Sequence, residues 1–256
     1  MSLRLPRKIS VARTMAFNNT QLTNYFSNLQ DVYKKFKFPA NKIYNMDETG
    51  VQTTPNNLPK HVAPIGKRDV SKAISSEQGQ TVTAVCCMSA AGQYIPPFFI
   101  YKRKKMCRLL INNGPVGCDM AVTDKGYMNT QTFIVWLDHF AKYAIPTEDS
   151  PILLILDNHV SHVSYEAVTH AKKKFIHMLS LPPHTSHKTQ PLDRVFFRPL
   201  KANYDVAIDN WLSSHAGQVV TTYHIAEIFK VAYERTATIE KASEAFKATG
   251  IFPLDT

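Results

Sequence analysis

Three aspartates, Asp47, Asp157 and Asp193, stand where apolar runs of the chain give way to polar residues. Asp157 ends the run PILLILD, and Asp47 ends the run NKIYNMD in the same manner. Asp193 follows QPL at the first turn of a predicted helix, where the helix dipole tolerates a carboxylate. Because functional groups of open α/β sheets collect just beyond the strand ends, these carboxylates could converge. A converging trio of aspartates suits two Mg²⁺ ions about 4 Å apart, a centre for phosphoryl chemistry.

Each of these features also has a plainer explanation. A single aspartate at a strand end is most often a turn former or a helix cap, so only the three together indicate a metal centre. Four histidines form two HxxH pairs that could bind zinc, namely His159, His162, His184 and His187. Neither pair has a cysteine at fitting spacing, so histidines that lie at the surface or contact phosphate are the preferred interpretation.

The chain is basic, with 30 lysines and arginines against 20 acidic residues, a formal net charge of +10 and a pI of about 9.4. This excess makes nucleic acid the natural partner, although a merely basic protein has the same composition. The run YKRKKMCR, residues 101–108, fits a phosphate-contacting strip or a nuclear import signal as well as it fits a solvated face. Its DNA-binding candidates are Lys102, Arg103, Lys104 and Lys105.

The elements that must position the aspartates follow from the apolar pattern of a chain that is 44% hydrophobic. Runs rich in β-branched and aromatic residues predict five strands: Lys42 to Asp47, QTVTAVCCMSA, QYIPPFFIYK, PILLILD and FIHMLSLPP. Helical spacing predicts helices over 19–36, over TQTFIVWLDHFAKYA and SYEAVTHAKKKF, and again from about residue 194. This order predicts an α/β fold, a mixed five-stranded sheet flanked by helices with a helical C-terminal region. No apolar run reaches the roughly 18 residues that cross a bilayer, so no membrane association is expected.

Four segments in order resemble the catalytic domain of DDE-type transposases of the Tigger, pogo and jerky group. They are IYNMDETGVQTTP, ILLILDNHVSH, LSLPPHTSHKTQPLDRVFFRPLK and ATGIFPLD, and the resemblance extends over nearly all 256 residues. It implies a ribonuclease-H-like fold with Asp47, Asp157 and Asp193 as catalytic and metal-binding residues. The last two are 36 positions apart, a spacing typical of the group, and all three acids are aspartates.

The resemblance also implies the activity and its setting. We expect Mg²⁺-dependent hydrolysis of DNA phosphodiesters followed by strand transfer, with Mn²⁺ as a substitute and two ions per site, in a nuclear protein that could form a homodimer. The polar residues expected to support the acids are Glu48, Asn158, His159 and Gln190. Lys188, Arg194 and Arg198 are candidates for contacts with DNA phosphates, unless they are ordinary surface charges.

The sequence predicts two regions of the chain and leaves two rival functions open. Residues 1–36 are predicted to be a basic, partly helical lead-in, and 37–256 the catalytic domain with its helical tail. Helix-turn-helix modules usually precede this domain in the group, so we expect largely sequence-independent DNA binding from the present residues. One rival is a domesticated DNA-binding protein without turnover, and the other is a phosphohydrolase of small substrates. Asp205 and Asp209 lie too far along the last helix to join the site and are expected to face solvent or a partner.

Overall fold

The computed structural model describes residues 19–55 and 79–255, so the first 18 residues of the predicted lead-in lie outside the described part. The strands are β1 (Ile43–Gln52), β2 (Thr81–Ser89), β3 (Tyr94–Lys102), β4 (Asp119–Thr123), β5 (Ile152–Leu156) and β6 (Ile176–Ser180). The helices are α1 (Asn19–Phe36), α2 (Thr130–Ala144), α3 (Tyr165–Lys173), α4 (Ser186–Thr189), α5 (Phe197–Ser214), α6 (Ile225–Thr236) and α7 (Ile239–Ala248). Short 3₁₀ turns cover Ala40–Lys42 and Arg108–Ile111, and a π-helical turn, Leu192–Phe196, leads into α5.

The strands form one mixed sheet in the order β4-β3-β2-β1-β5-β6. The pairs β1/β2 and β2/β3 are antiparallel, whereas β1/β5, β3/β4 and β5/β6 are parallel. The predicted fold class is confirmed, but the sheet has six strands rather than five. The additional strand, β4, has only five residues, and its pairing with β3 through Phe98–Asp119 to Lys102–Thr123 is a tertiary contact that a local pattern does not reveal.

Strand β1 is longer than predicted, which changes the position of Asp47. Its parallel pairing with β5 runs from Ile43–Leu153 to Asn45–Ile155, and β5 ends at Leu156. The antiparallel pairing with β2 carries β1 on to Gln52, with Asp47 opposite Cys86. The prediction that Asp47 ends its strand was therefore wrong, because β2 sustains the strand where β5 stops. Asp47 lies within β1, two positions beyond the last parallel pair.

Alternating side chains of the central strands give the sheet two apolar faces. On one face, Ile43, Val51, Leu153 and Ile155 pack in the cluster that includes residues of α1, α5, α6 and α7. On the other face, Tyr44, Met46, Leu154 and Leu156 pack with α2 and α3. Because both faces are covered, β5 is buried throughout, as its continuous apolar run predicted.

Helix α5 packs against α6, and two acids of α5 are buried. Asp205 and Asp209 are 7% and 5% exposed, so the expectation that they face solvent or a partner was wrong. They flank the buried Tyr204 and Ile208 on the helix surface, and the apolar face of α5 is wide enough to enclose them. Within the described ranges, no helix is long and apolar enough to cross a membrane.

Candidate active site

The carboxyl ends of β1, β5 and β6 lie at one edge of the sheet because these strands are parallel. Asp157 directly follows β5 at this edge, and Asp47 lies beside it on β1. Asp193 reaches the same edge from the segment that follows β6, within the π-helical turn. Asp157 and Asp193 line one cleft of about 370 Å³, together with His159, His184 and His187.

A buried asparagine, Asn45, anchors the segment that carries Asp193. Its Nδ2 donates to the backbone oxygen of Ile155 at 3.0 Å and to Oε1 of Gln190 at 2.9 Å. Its Oδ1 accepts a hydrogen bond of 3.0 Å from the backbone nitrogen of Leu192. Asn45 and Gln190 are both fully buried, so these bonds form where water cannot replace them. One side chain on β1 thus ties β5 to the residue that precedes Asp193.

Gln190 was predicted to support the site, and the structure brings it to β1. Its Nε2 donates to the backbone oxygen of Met46 at 3.3 Å. Its amide also acts on the carboxyl of Asp47, whose pKa it lowers. The amide of Gln190 therefore links the strand of Asp47 to the turn of Asp193.

The carboxyl of Asp47 is in an environment that opposes its negative charge. Burial raises its pKa most, and the negative charges of Asp193 and Glu48 raise it further. Hydrogen bonds from the backbone nitrogen of Glu48, at 2.8 Å, and from Gln190 act in the opposite direction. The net result is a pKa well above the ordinary value, so a cation at Asp47 would relieve an unfavourable charge.

The carboxylate of Asp157 is held by a buried histidine. Nδ1 of His162 donates to Oδ1 of Asp157 at 2.8 Å, and Nε2 of His162 donates to Oε1 of Glu48 at 3.2 Å. The backbone nitrogen of His159 donates to the same oxygen of Asp157 at 3.1 Å. Partial burial alone would raise the pKa of Asp157, but the bonds from His162 and His159 outweigh it and lower the pKa.

His162 is itself positively charged at neutral pH in this arrangement. Burial alone would lower its pKa, but the hydrogen bonds and charges of Asp157 and Glu48 raise the pKa to about 9. Its ring also lies 4.5 Å from the ring of Phe133 on α2. The preference for surface or phosphate-contacting histidines was therefore wrong for His162, which is 2% exposed. The turn that folds the chain back between Asp157 and His162 could not be inferred from their spacing alone.

The other predicted supporting residues occupy different positions around the cleft. Glu48 contacts the site through His162, and His159 accepts or donates a 2.7 Å bond with the hydroxyl of Ser161. Asn158 is exposed on the lip of the cleft. The basic candidates Lys188, Arg194 and Arg198 are exposed on the segment around Asp193. Lys102, Lys104 and Lys105 are exposed at the carboxyl end of β3, which lies at the same edge of the sheet, and Arg103 is half-buried.

The donor chemistry of this edge fits a divalent cation. Carboxylate oxygens are the ligands that Mg²⁺ prefers, and a cation would offset the burial and the neighbouring negative charges that raise the pKa of Asp47. Within residues 19–55 and 79–255, however, no group of three or more His, Cys, Asp and Glu side chains could hold one ion together. The three aspartates therefore fit by type and crowding, not as a single three-ligand cluster.

Solved structures similar to this chain include complexes of the Mos1 transposase. The mariner Mos1 paired-end complex with Mg matches with a TM-score of 0.55 and 12% identity, over 100% of this chain and 67% of that one. The Mos1 mariner paired-end complex with Mn matches with a TM-score of 0.52 and 14% identity, over 100% of this chain and 66% of that one. The mixed sheet flanked by helices is thus similar to the ribonuclease-H-like transposase fold.

The sequence assigns the chain to a family within that fold. A family model described as DDE superfamily endonuclease matches residues 78–242, which is more than half of the chain and includes Asp157 and Asp193. The chain belongs to this family. Asp47 lies before the matched segment, so its membership of the site depends on the β1 geometry described above.

One curated relative is similar over a large part of the chain. A protein of Cochliobolus lunatus named MFS-type transporter clz9 is 30% identical over 225 residues. The match covers 86% of this chain but only 24% of that protein. The chain spans about a quarter of the length of this relative, and the name of the whole protein does not transfer to the matched part.

Proposed function

We propose that the chain is the catalytic domain of a DDE transposase of the Tigger, pogo and jerky group, which hydrolyses DNA phosphodiesters and transfers the resulting strand. The observation that carries the proposal is that Asp157 and Asp193 line one cleft at the edge of the sheet. Asp47 is close enough to this cleft for the charge of Asp193 to raise its pKa. Membership of the endonuclease family and the Mos1 fold support it. The net charge of +10 supports DNA rather than a small phosphate ester as the substrate.

In this proposal Asp47, Asp157 and Asp193 would hold two Mg²⁺ ions, or Mn²⁺ in their place, which would supply an activated water and stabilise the leaving 3′ oxygen. The chain itself orients the ligands. His162 and the backbone of His159 fix one oxygen of Asp157, and the Asn45 network fixes the segment of Asp193. Exposed cations beside the acids, Lys188, Arg194 and Arg198, would position the DNA backbone.

The setting of the proposed activity follows from its substrate. DNA as the substrate points to the nucleus, and the basic run from Lys102 to Lys105 fits an import signal. A homodimer would bring two such sites to two DNA ends, as transposition requires.

A second candidate function is DNA binding without turnover. It is favoured by one observation, that the described residues contain no group of three or more acids, histidines and cysteines that could hold a metal ion. Metal binding separates the two candidates. Calorimetric titration with Mn²⁺ should give heat that is lost in the Asp47→Asn variant if the site is catalytic, and none in either protein if the chain only binds DNA.

The test of the proposed function is nicking of supercoiled plasmid DNA in the presence of Mn²⁺. We expect Asp157→Asn to abolish nicking and to leave DNA retention nearly unchanged, because phosphate contacts come from basic residues. Asp149→Asn, an exposed aspartate between α2 and β5, is the matched control and should nick like the wild type. Nicking at the wild-type rate by a pure, folded Asp157→Asn protein would refute the assignment.

A further inference from the structure

Two further clefts lie at the carboxyl ends of β3 and β4, on the same side of the sheet as the three aspartates. This side is called the catalytic edge below. The first, of about 830 Å³, lies between the start of β2, the end of β3, the loop 124–127 and the residues Thr222 and Tyr223. The second, of about 680 Å³, lies between that loop and the start of α2. Four residues line both clefts and therefore form a ridge between them, here called the Tyr127 ridge: Arg103, Asp124, Lys125 and Tyr127.

The Tyr127 ridge stands on a loop that hydrogen bonds hold in place. Thr123 accepts from the backbone nitrogen of Gly126 at 2.8 Å and donates to the backbone oxygen of Tyr127 at 3.2 Å. The buried hydroxyl of Thr83 donates to the backbone oxygen of Gly126 at 2.7 Å. Gly126 has a φ of +75°, which a side chain would strain, and a Cβ there would lie 3.0 Å from Cβ of Lys102. The backbone is thus fixed while the ring of Tyr127 remains 65% exposed.

A second exposed aromatic ring lies across the first cleft. Tyr223 is 41% exposed, and its hydroxyl accepts a 2.9 Å hydrogen bond from the guanidinium of Arg103. The same guanidinium lies 5.5 Å from the centre of the Tyr223 ring. Such solvent-facing rings beside a cation are the surfaces on which unpaired bases stack.

The charge of the clefts is mainly positive. Lys102, Arg103, Lys104 and Lys125 line them, against a single acid, Asp124. Lysine and arginine side chains around exposed rings suit a phosphate backbone whose bases are free to stack. A duplex keeps its bases inside the stack, so it could use the cations but not the faces of the tyrosines.

The second cleft adjoins the helix that contacts the candidate active site. Thr132, in the first turn of α2, lines this cleft, and the next residue, Phe133, contacts His162. His162 in turn donates to Asp157. The clefts and the acids therefore belong to one continuous edge, with α2 between them.

We propose that the two clefts bind an unpaired segment of DNA that leads to or from the catalytic edge, with its phosphates at Lys102, Arg103 and Lys125 and a base stacked on Tyr127. This inference rests on the proposed function, and it specifies the part of the substrate that the chain holds away from the reacting bond. Binding to a single strand does not require the metal, so it is measured without one.

The test is fluorescence anisotropy of the full chain with a labelled 12-nucleotide oligothymidylate and with a 12-base-pair duplex, both in EDTA. We expect Tyr127→Ala to weaken binding of the single strand by about tenfold, the loss typical of one stacked base. Binding of the duplex should change by less than about twofold, because phosphate contacts remain. Tyr127→Phe should bind the single strand as the wild type does, since it keeps the ring.

Two control variants separate stacking and charge from general surface changes. Tyr165→Ala removes an 86% exposed ring that lies on α3 outside both clefts, and it should leave single-strand affinity unchanged. Lys125→Ala should weaken single-strand binding, whereas Lys247→Ala, an exposed lysine on α7, should not. Equal single-strand affinities of wild type and Tyr127→Ala, or equal losses for single strand and duplex, would overturn the inference.

These outcomes are independent of the nicking assay. If the wild type nicks plasmid and Asp157→Asn does not, while Tyr127→Ala binds the single strand normally, the inference about the clefts is wrong and the proposed function stands. If Asp157→Asn nicks like the wild type while Tyr127→Ala loses single-strand binding, the proposed function fails and the clefts stand.

Discussion

At the scale of single residues, the site depends on how the buried side chain of His162 binds two carboxylates. Glu48 lies within β1 and Asp157 directly follows β5. The two ring nitrogens of His162 donate hydrogen bonds to these two carboxylates. Asp157 is 39% exposed and Glu48 27%, whereas the His162 side chain is 3% exposed. The carboxylates thus keep access to the cleft while their shared donor is enclosed. The buried histidine therefore orients the carboxylate of Asp157 and leaves it exposed to the cleft.

We expect His162→Ala to lower the free energy of unfolding by about 2 kcal/mol, because two hydrogen bonds to charged groups are lost and partial exposure of the carboxylates limits the cost. Urea denaturation at pH 7 measures this change. Val160→Ala, a 79% exposed residue of the same turn, should leave stability nearly unchanged. In a double-mutant cycle, Glu48→Gln should cost less in the His162→Ala background than in the wild type. Additive losses would mean that His162 and Glu48 do not interact as described.

At the scale of elements, the π-helical turn and β1 are fastened to each other by Asn45. Pro191 begins this turn, and its wide backbone separates Asp193 from the regular helix α5. Local π-helical geometry inside a helix is frequent at functional sites, since it redirects one side chain. The turn holds this position because Leu192 donates to Asn45 across the buried edge of the sheet.

Asn45→Ala should lower stability by about 2 kcal/mol, because the buried nitrogen of Leu192 and the amide of Gln190 lose their partner. The variant should also nick DNA with Mn²⁺ more slowly than the wild type at equal concentrations of folded protein, because Asp193 is no longer held in position. Thermal unfolding and the nicking assay at a temperature where the variant is folded measure the two effects. Asn210→Ala, an exposed asparagine on α5, is the matched control. Full nicking activity in folded Asn45→Ala would show that the anchor does not position the acid.

Helices α2 and α3 are joined by an ion pair that titrates. Asp138 on α2 lies 2.9 Å from Nζ of Lys174 and 2.8 Å from Nε2 of His170. Partial burial alone would raise the pKa of Asp138, but the bonds from Lys174 and His170 lower it. A lowered folded pKa contributes stability above the ordinary aspartate pKa of about 4, and this contribution is lost as pH falls through the folded value.

The Asp138→Asn variant should therefore be less stable than the wild type near pH 7 and should approach it as the pH falls below about 4. The side chain of Asp138 is 51% exposed, so the difference at pH 7 should be well under about 1 kcal/mol. Urea midpoints at several pH values measure it, with Asp149→Asn as the exposed control. A difference that grows towards acidic pH would contradict the assignment.

At the scale of the whole molecule, the local patterns predicted the layers, whereas long-range pairing determined the details. The continuous apolar run of β5 and the helical spacing of α2 were sufficient to predict a covered mixed sheet. Strand β4 and the extension of β1 past Asp47 could not be foreseen, because β3 and β2 stabilise them across the sheet. The burial of Asp205 and Asp209 likewise depends on tertiary packing around α5, which their spacing in the sequence does not reveal.

The same limit applies to the candidate site. The positions of Asp157 and Asp193 followed from where apolar runs end, since that signal is local. The role of His162 and the anchor at Asn45 could not be predicted, because each depends on contacts between segments more than 100 residues apart. Supporting residues next to the acids in the sequence, Glu48 and Gln190, could be predicted, whereas His162 and Asn45, whose contacts are long-range, could not.

The distribution of positive charge predicts how the whole chain binds duplex DNA. Cations extend along the carboxyl ends of the strands, from Lys102–Lys105 at the end of β3 to Arg194 and Arg198 beside Asp193. The last turn of α3 lies at the opposite end of the sheet, because it leads into the start of β6. DNA that follows the carboxyl ends of the strands would thus contact the first group of cations and not the exposed Lys172 and Lys173 of α3.

We expect duplex binding that is weak, steeply dependent on salt and nearly indifferent to sequence, because phosphate contacts supply affinity while base-edge contacts supply discrimination. With about five phosphates contacted, affinity should fall about 100-fold or more between 50 and 200 mM salt. Replacing both Lys104 and Lys105 by Ala should reduce the slope of log K on log salt by about two. The double control Lys172→Ala and Lys173→Ala on α3 should leave the slope unchanged. A preferred sequence bound about 10³-fold more tightly than random duplex would contradict this expectation and would require a base-reading element within the chain.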